Sequence, residues 1–172
     1  MEVILFIKSA FLPGVILFMK QSIPIVIRPA VDNIADRNFI VSLLGELFEL
    51  EQDFQPDAPK QAIAVKMFLR HPYAKIFIAE SNRQPVGFCI VSMQISTAEG
   101  GWSGEIEDLA VSPQFRRHGV AQALLRAAEN WSYDNGALRM RLNCDEQNLA
   151  ARELYKKLGW QKSHLFIMFH HQ

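Results

Sequence analysis

Apolar residues in this chain recur with two different periods, and the change from one to the other lays out its elements. Residues 23–28, Ile-Pro-Ile-Val-Ile-Arg, are β-rich and stop at Pro29, which predicts a first strand. Residues 33–50 place Phe39, Ile40, Leu43, Leu44, Leu47 and Phe48 three and four apart, one face of a helix. A second helix is predicted over 59–70, with Ile63, Ala64, Met67 and Phe68 on its apolar face. Residues 75–80 and 85–96 are β-rich runs joined by Ser81-Asn82-Arg83-Gln84, a hairpin pattern. A strand over 105–111 follows, then a helix over 119–135 stopped at Gly136, then a strand over 138–144. Residues 148–158 form a helix closed by Gly159, the residue that tolerates the left-handed turn after a helix. The runs 160–162 and 165–170 read as strands that close the sheet.

These elements add up to an α/β (α+β) domain: a mixed, mostly antiparallel sheet of about six to seven strands with helices on both faces. The domain is expected over residues 20–172. Residues 1–19 are an apolar stretch interrupted by Lys8 and by Pro13-Gly14. A spanning helix needs ~20 apolar residues, and a signal peptide needs basic residues ahead of its apolar run. The stretch is therefore read first as an extension ahead of a start at Met19, next as a packed or partner-binding segment, and last as a membrane anchor. Gly100, Gly101 and Gly104 around Trp102 predict a mobile rim.

Composition narrows the field. The chain has 172 residues, ordinary for one domain, and its 18 basic and 18 acidic residues cancel. No net field draws it to nucleic acid or to an anionic membrane. Its two cysteines, Cys89 and Cys144, have neither metal-ligand nor disulfide-framework spacing, so the expectation is no metal and a reducing cytoplasm.

Candidate chemistry is concentrated in residues 103–125. There a strand, a polar loop Arg116-Arg117-His118-Gly119-Val120-Ala121 and a helix start follow one another. A helix start leaves backbone N–H groups unpaired and carries partial positive charge, so it suits a phosphate or pyrophosphate. Gly119 lets the backbone approach such a ligand, and Ala121 does not block it. Downstream, Asn143 to Trp160 runs from Asn148 to Ala151, Tyr155 and a Gly159-Trp160 pair. The order Val-x-Pro-x-x-Arg-x-x-Gly-x-Ala followed by that second block resembles the GNAT superfamily of N-acetyltransferases over roughly residues 23–170.

The resemblance implies a sheet splayed open beside acetyl-CoA, the expected cosubstrate. It implies that the backbone of Leu109, Ala110 and Val111 holds the pantetheine arm. Arg116, Arg117, His118, Gly119, Val120 and Ala121 would bind the pyrophosphate, with Asn148 and Ala151 beside the arm. By family position Tyr155 is the general acid at the thioester sulfur; a half-buried packing role is its alternative. A phenol, with a reference pKa near ~10, keeps that proton at neutral pH. Glu105 or Glu107 is the general base by family position; for either one singly, a side chain that merely faces solvent is the alternative. Strand alternation places Glu105, Glu107, Leu109 and Val111 on one side if no bulge intervenes, and Asp108 on the other. Asn148 either contacts the cofactor or caps its own helix.

The acceptor is expected to be a primary amine on a small molecule or a peptide. Glu46, Glu49, Glu51, Asp53 and Asp57 lie in a stretch without a basic residue, which suits a cationic acceptor or is a solvated helix end. The leading reading is an N-acetyltransferase, with a non-catalytic acyl-CoA-binding module as its rival. No nucleic-acid partner is expected, and a homodimer stays open.

Overall fold

The computed structural model describes residues 23–50 and 53–170; the extension at 1–19 lies outside them. The chain runs β1 (Val26–Pro29), α1 (Ile34–Phe48), α2 (Ala58–Arg70), β2 (Ala74–Ser81), β3 (Gln84–Ser96), β4 (Gly101–Val111), α3 (Val120–Asp134), β5 (Ala137–Leu142) and α4 (Leu149–Lys157). A single turn of 3-10 helix, Pro113–Phe115, separates β4 from α3. Side-chain caps begin three of the helices. Asn33 accepts from Asp36 N–H, Asp57 from Lys60 N–H and Asn148 from Ala151 N–H, which satisfies donors that a helix start otherwise leaves open.

The strands pair in chain order into one five-stranded sheet. β1 through β4 are antiparallel, and β5 joins β4 in parallel after the α3 crossover. Each face is covered. Ile40, Leu43 and Leu44 of α1 and Val65 of α2 pack on Ile76, Ile78, Phe88 and Ile90. Val120, Leu124, Leu125 and Ala128 of α3 pack on the opposite face against Phe77, Ala79, Val91 and Ile106. Burial of the larger of these side chains, worth ~1.5–3 kcal/mol each, holds the layers together. Gly87 permits the tight β3–β4 contact, since a Cβ there would lie 2.9 Å from the Ala110 carbonyl oxygen. No described helix is long and apolar enough to cross a membrane.

Three expectations change. The described sheet has five strands rather than six to seven, because 160–162 and 165–170 pair with no strand. Leu165, Phe166 and Met168 have strand propensity but lie exposed; propensity forms a strand only where a partner edge supplies hydrogen bonds. The buried stripe of α2 is Gln61 and Val65, with Phe68 half-buried, whereas Ile63 and Met67 face outward. The glycine-rich rim is mostly strand. Gly101 to Gly104 pair with β3, and Trp102 stacks on Tyr73 at 4.9 Å, far along β4 from Val111.

Candidate active site

The sheet opens where β5 runs out. β4 and β5 stay paired up to Ile106 opposite Leu142, and β4 then continues to Val111 with β3 alone. The edge of β4 beyond Ile106 therefore faces a groove of about 1220 Å³. Its walls come from β4, the loop after it, the start of α3, residues 142–155, and the α1–α2 side with Ile167 and Phe169.

At one end the loop is shaped for an anion. Arg117 and Gly119 both adopt positive φ, +64° and +84°, and these left-handed residues fold the chain sharply ahead of α3. Gly119 is the N-cap of α3 and supplies no side-chain cap, so the first-turn N–H groups point at the groove. A Cβ at Gly119 would meet nothing within 4 Å, so backbone conformation and open space, not packing, require glycine here. Arg116 donates Nε to the Val111 carbonyl at 3.0 Å, and the His118 ring meets the Arg116 carbonyl at 2.8 Å. Both contacts brace the loop. A diphosphate fits a cradle with open backbone donors, two arginines and room before the glycine.

Beside the groove, β4 carries a bulge. Ile90 pairs with Asp108 and Val91 with Ile106, leaving Glu107 as the extra residue. Alternation inverts across it: Ile106 packs toward α3, and so do Leu109 and Val111, while Ala110 packs toward α1 and α2. The expected common side for Glu105, Glu107, Leu109 and Val111 is thus corrected, and Asp108 falls on the side of Glu105. Glu105 is ion-paired with Arg141 at 2.7 Å and bonded by Gln94; it is not part of the groove wall, whereas Glu107 is. The Glu107 side chain stays open along the groove mouth, yet its carboxyl is raised above the usual carboxylate range. Loss of water against the groove walls is the main cause, followed by the Glu105 charge, with Arg141 opposing.

Opposite β4, α4 brings Asn148, Ala151 and Tyr155 to the groove. Asn148 Oδ1 caps the helix at 3.1 Å from Ala151 N–H. Tyr155 is half-buried against Trp160, with ring centroids 6.2 Å apart, and its carbonyl accepts the Trp160 N–H at 3.0 Å. Trp160 is in turn fixed to α3 by its indole N–H on Glu129 at 2.9 Å. The Gly159-Trp160 pair thereby orients Tyr155. Among the remaining expected residues, Leu109, Val111, Arg116, Arg117, Gly119, Val120 and Ala121 line the groove, and Ala110 and His118 do not.

The far end is aromatic. Phe48 and Phe54 lie 5.5 Å apart, and Phe54 meets Phe169 edge-on at 5.9 Å. The C-terminal run thus supplies groove wall instead of a strand. Asp53 lies here too, while Asp57 is committed to capping α2. Gln61, not among the expected site residues, also lines this end. Its spacing from Val65 and Phe68 was the available signal: a polar residue within a buried helical stripe.

Comparison with known proteins gives the family. Residues 38–160 match the model of the acetyltransferase (GNAT) family. The aminoalkylphosphonate N-acetyltransferase of Salmonella typhimurium is 28% identical over 129 residues, 75% of this chain and 81% of that protein. The thialysine N-epsilon-acetyltransferase of Bos taurus is 28% identical over 145 residues, 80% of this chain and 84% of that one. An aminoglycoside N-acetyltransferase solved in complex with CoA superposes with a TM-score of 0.74 at 18% identity, covering 89% of this chain and 98% of that one; at that identity the likeness speaks for the fold. With the family's motifs gathered on one groove, the chain belongs to the GNAT family of acetyl-CoA-dependent N-acetyltransferases.

Proposed function

We propose that this chain transfers an acetyl group directly to a primary amine, with Glu107 as general base and Tyr155 as general acid. The observation that carries the reading is convergence: the open start of α3, the unpaired edge of β4, Glu107 and Tyr155 all border one groove. Acetyl-CoA supplies the activated acyl group. The Val120 and Ala121 N–H groups with Arg116 and Arg117 hold its diphosphate, and the β4 edge from Glu107 to Val111 orients the arm. The Glu107 carboxylate takes a proton from the acceptor ammonium, and a raised pKa brings it closer to the working pH, where a base is most effective. Tyr155 Oη holds the proton that the departing sulfur needs.

The relatives are named for aminoalkylphosphonate, thialysine and aminoglycoside acetylation, and what those acceptors share is an amine. Asp53, Glu107 and Asp108 on the acceptor side favour one that carries positive charge. Thiol release from acetyl-CoA, measured across a broad amine panel, is the test. Release stimulated by no amine, with CoA still bound, would leave a binding module in place of an enzyme.

A further inference from the structure

Two stretches far apart in the chain bring three phenylalanines to one end of the groove. Phe48 closes α1, Phe54 follows it in the α1–α2 connection, and Phe169 comes from the C-terminal run. The core ring of Phe88 is closed off at 0% exposure, whereas Phe54 is 42% and Phe169 55% exposed. The Phe54 and Phe169 ring planes stand at 81° with centroids 5.9 Å apart, and Phe48 lies 5.5 Å from Phe54. Two open rings near a right angle make a corner. A third ring laid on the face of one meets the other edge to face, and aromatic pairs prefer both contacts. Phe68 and Ile167 extend the apolar lining, while the Asp53 and Glu107 carboxylates border the same groove.

We propose that this corner holds the body of the acceptor, so that the preferred substrates are primary amines bearing an aryl ring. The inference rests on the acetyl-transfer reading above: with the diphosphate at the start of α3, the aromatic end is the part of the groove left to the acceptor. The ring is buried in the corner and the ammonium faces the carboxylates. Ligand sites are commonly divided in this way, an apolar wall with a few polar groups that fix orientation. An amine with a hydroxyl in place of the ring forfeits the apolar contact and loses water from that hydroxyl on entry. A saturated ring buries similar area but has no π face, so the aromatic contacts are lost.

2-Phenylethylamine, 2-cyclohexylethylamine and ethanolamine test this, since they share an ethylamine unit and end in an aryl ring, a saturated ring or a hydroxyl. Wild-type kcat/KM should fall in that order, severalfold at the first step and by about tenfold or more from the aryl amine to ethanolamine. Phe54→Ala and Phe169→Ala should each shrink the aryl preference, with the loss falling on KM rather than kcat, the mark of lost binding to a part of the substrate remote from the chemistry. Phe54→Trp should keep the preference. Phe54→Leu, which retains apolar volume should the alanine variants unfold, should close the gap between the two rings. Parity of the aryl amine with ethanolamine or with the saturated ring in wild type overturns the proposal, as the corner then covers something other than an aryl acceptor. So does a preference that survives both alanine variants, or an equal loss on all three amines. Turnover of other amines with none of these effects leaves acetyl transfer standing. If no amine is turned over, the acetyl-transfer reading falls instead, and binding of the three amines to the CoA-saturated protein, read by ligand-observed NMR, decides the corner by the same order.

Discussion

Glu105 and Arg141 stand in register across the parallel β4–β5 ladder and join at 2.7 Å. Gln94 of β3 bonds both partners, so the Glu105 charge is committed to tying three strands together just where β5 is about to leave. Two residues on, the bulge sets Glu107 at the groove. The two glutamates therefore have different work.

Replacing Glu107 by Gln should lower kcat/KM by about 10²-fold, the usual scale of a lost general base. Wild-type kcat/KM should rise with pH through an ionisation above the ordinary carboxylate range, because Glu107 must lose its proton to act and its carboxyl is raised. Glu107→Gln should flatten that limb. Glu105→Gln should retain the limb and lower the melting temperature instead. A full pH–rate profile for each variant decides; an unchanged limb in Glu107→Gln removes it as the base.

Gly119 has φ +84° and open space before it. Gly119→Trp should abolish acetyl-CoA binding, since the indole would occupy that space, while far-UV circular dichroism remains that of the wild type. Gly119→Ala isolates the backbone effect, with ~1 kcal/mol of strain from the left-handed conformation. Calorimetric titration with acetyl-CoA checks both. Unaltered affinity in the Trp variant places the diphosphate elsewhere.

Tyr155→Phe removes one hydroxyl and little volume. Ring packing on Trp160 persists, so fold and cofactor affinity should survive while kcat falls by roughly 10²-fold. Steady-state kinetics beside a melting curve separates the two roles. Full kcat in this variant assigns Tyr155 to packing.

Arg28 grips Asp36 with two hydrogen bonds, 2.7 and 2.8 Å, and reaches Glu80 at 2.6 Å. The Arg28 bonds to Asp36, helped by the Val31 N–H, hold the buried Asp36 carboxyl below its usual range despite desolvation. A folded-state value below the unfolded one means that this stability is fully present at neutral pH. It is lost as pH falls from about 4 through the lower folded value. Asp36→Asn should cost ~3 kcal/mol at pH 7, and less as the pH drops through that window. Urea unfolding at neutral and acid pH reads both; an equal cost at every pH denies the linkage.

Asp53 borders the aromatic end of the groove, and Glu49 lies exposed near it in sequence. Neutralising both should raise KM for a polycationic amine and leave KM for a neutral-tailed amine nearly unchanged. Added salt should act alike, since exposed charges are screened over ~10 Å at 0.1 M. If KM for every amine ignores salt and substitution, attraction of a cationic acceptor is discarded.

What the sequence by itself determined is what depends on near neighbours along the chain. Gly119 before an uncapped helix, Asn148 as a cap and Gly159 after α4 are read from φ/ψ preference and from open backbone donors within one turn. The hairpin and the α3 crossover follow from spacing in the same way. What only the tertiary structure decided depends on partners far along the chain. The bulge at Glu107 arises from how β3 registers on β4, and one extra residue inverts every side chain beyond it. The apolar residues of α2 offer two stripes, Ile63 with Met67 or Val65 with Phe68, and the packing of α1 and the sheet chose the second, drawing Gln61 inward. The run Leu165 to Phe169 has the residues of a strand but forms none, and of it Ile167 and Phe169 join the groove wall, because strand propensity describes a fit to a partner edge and supplies no edge of its own.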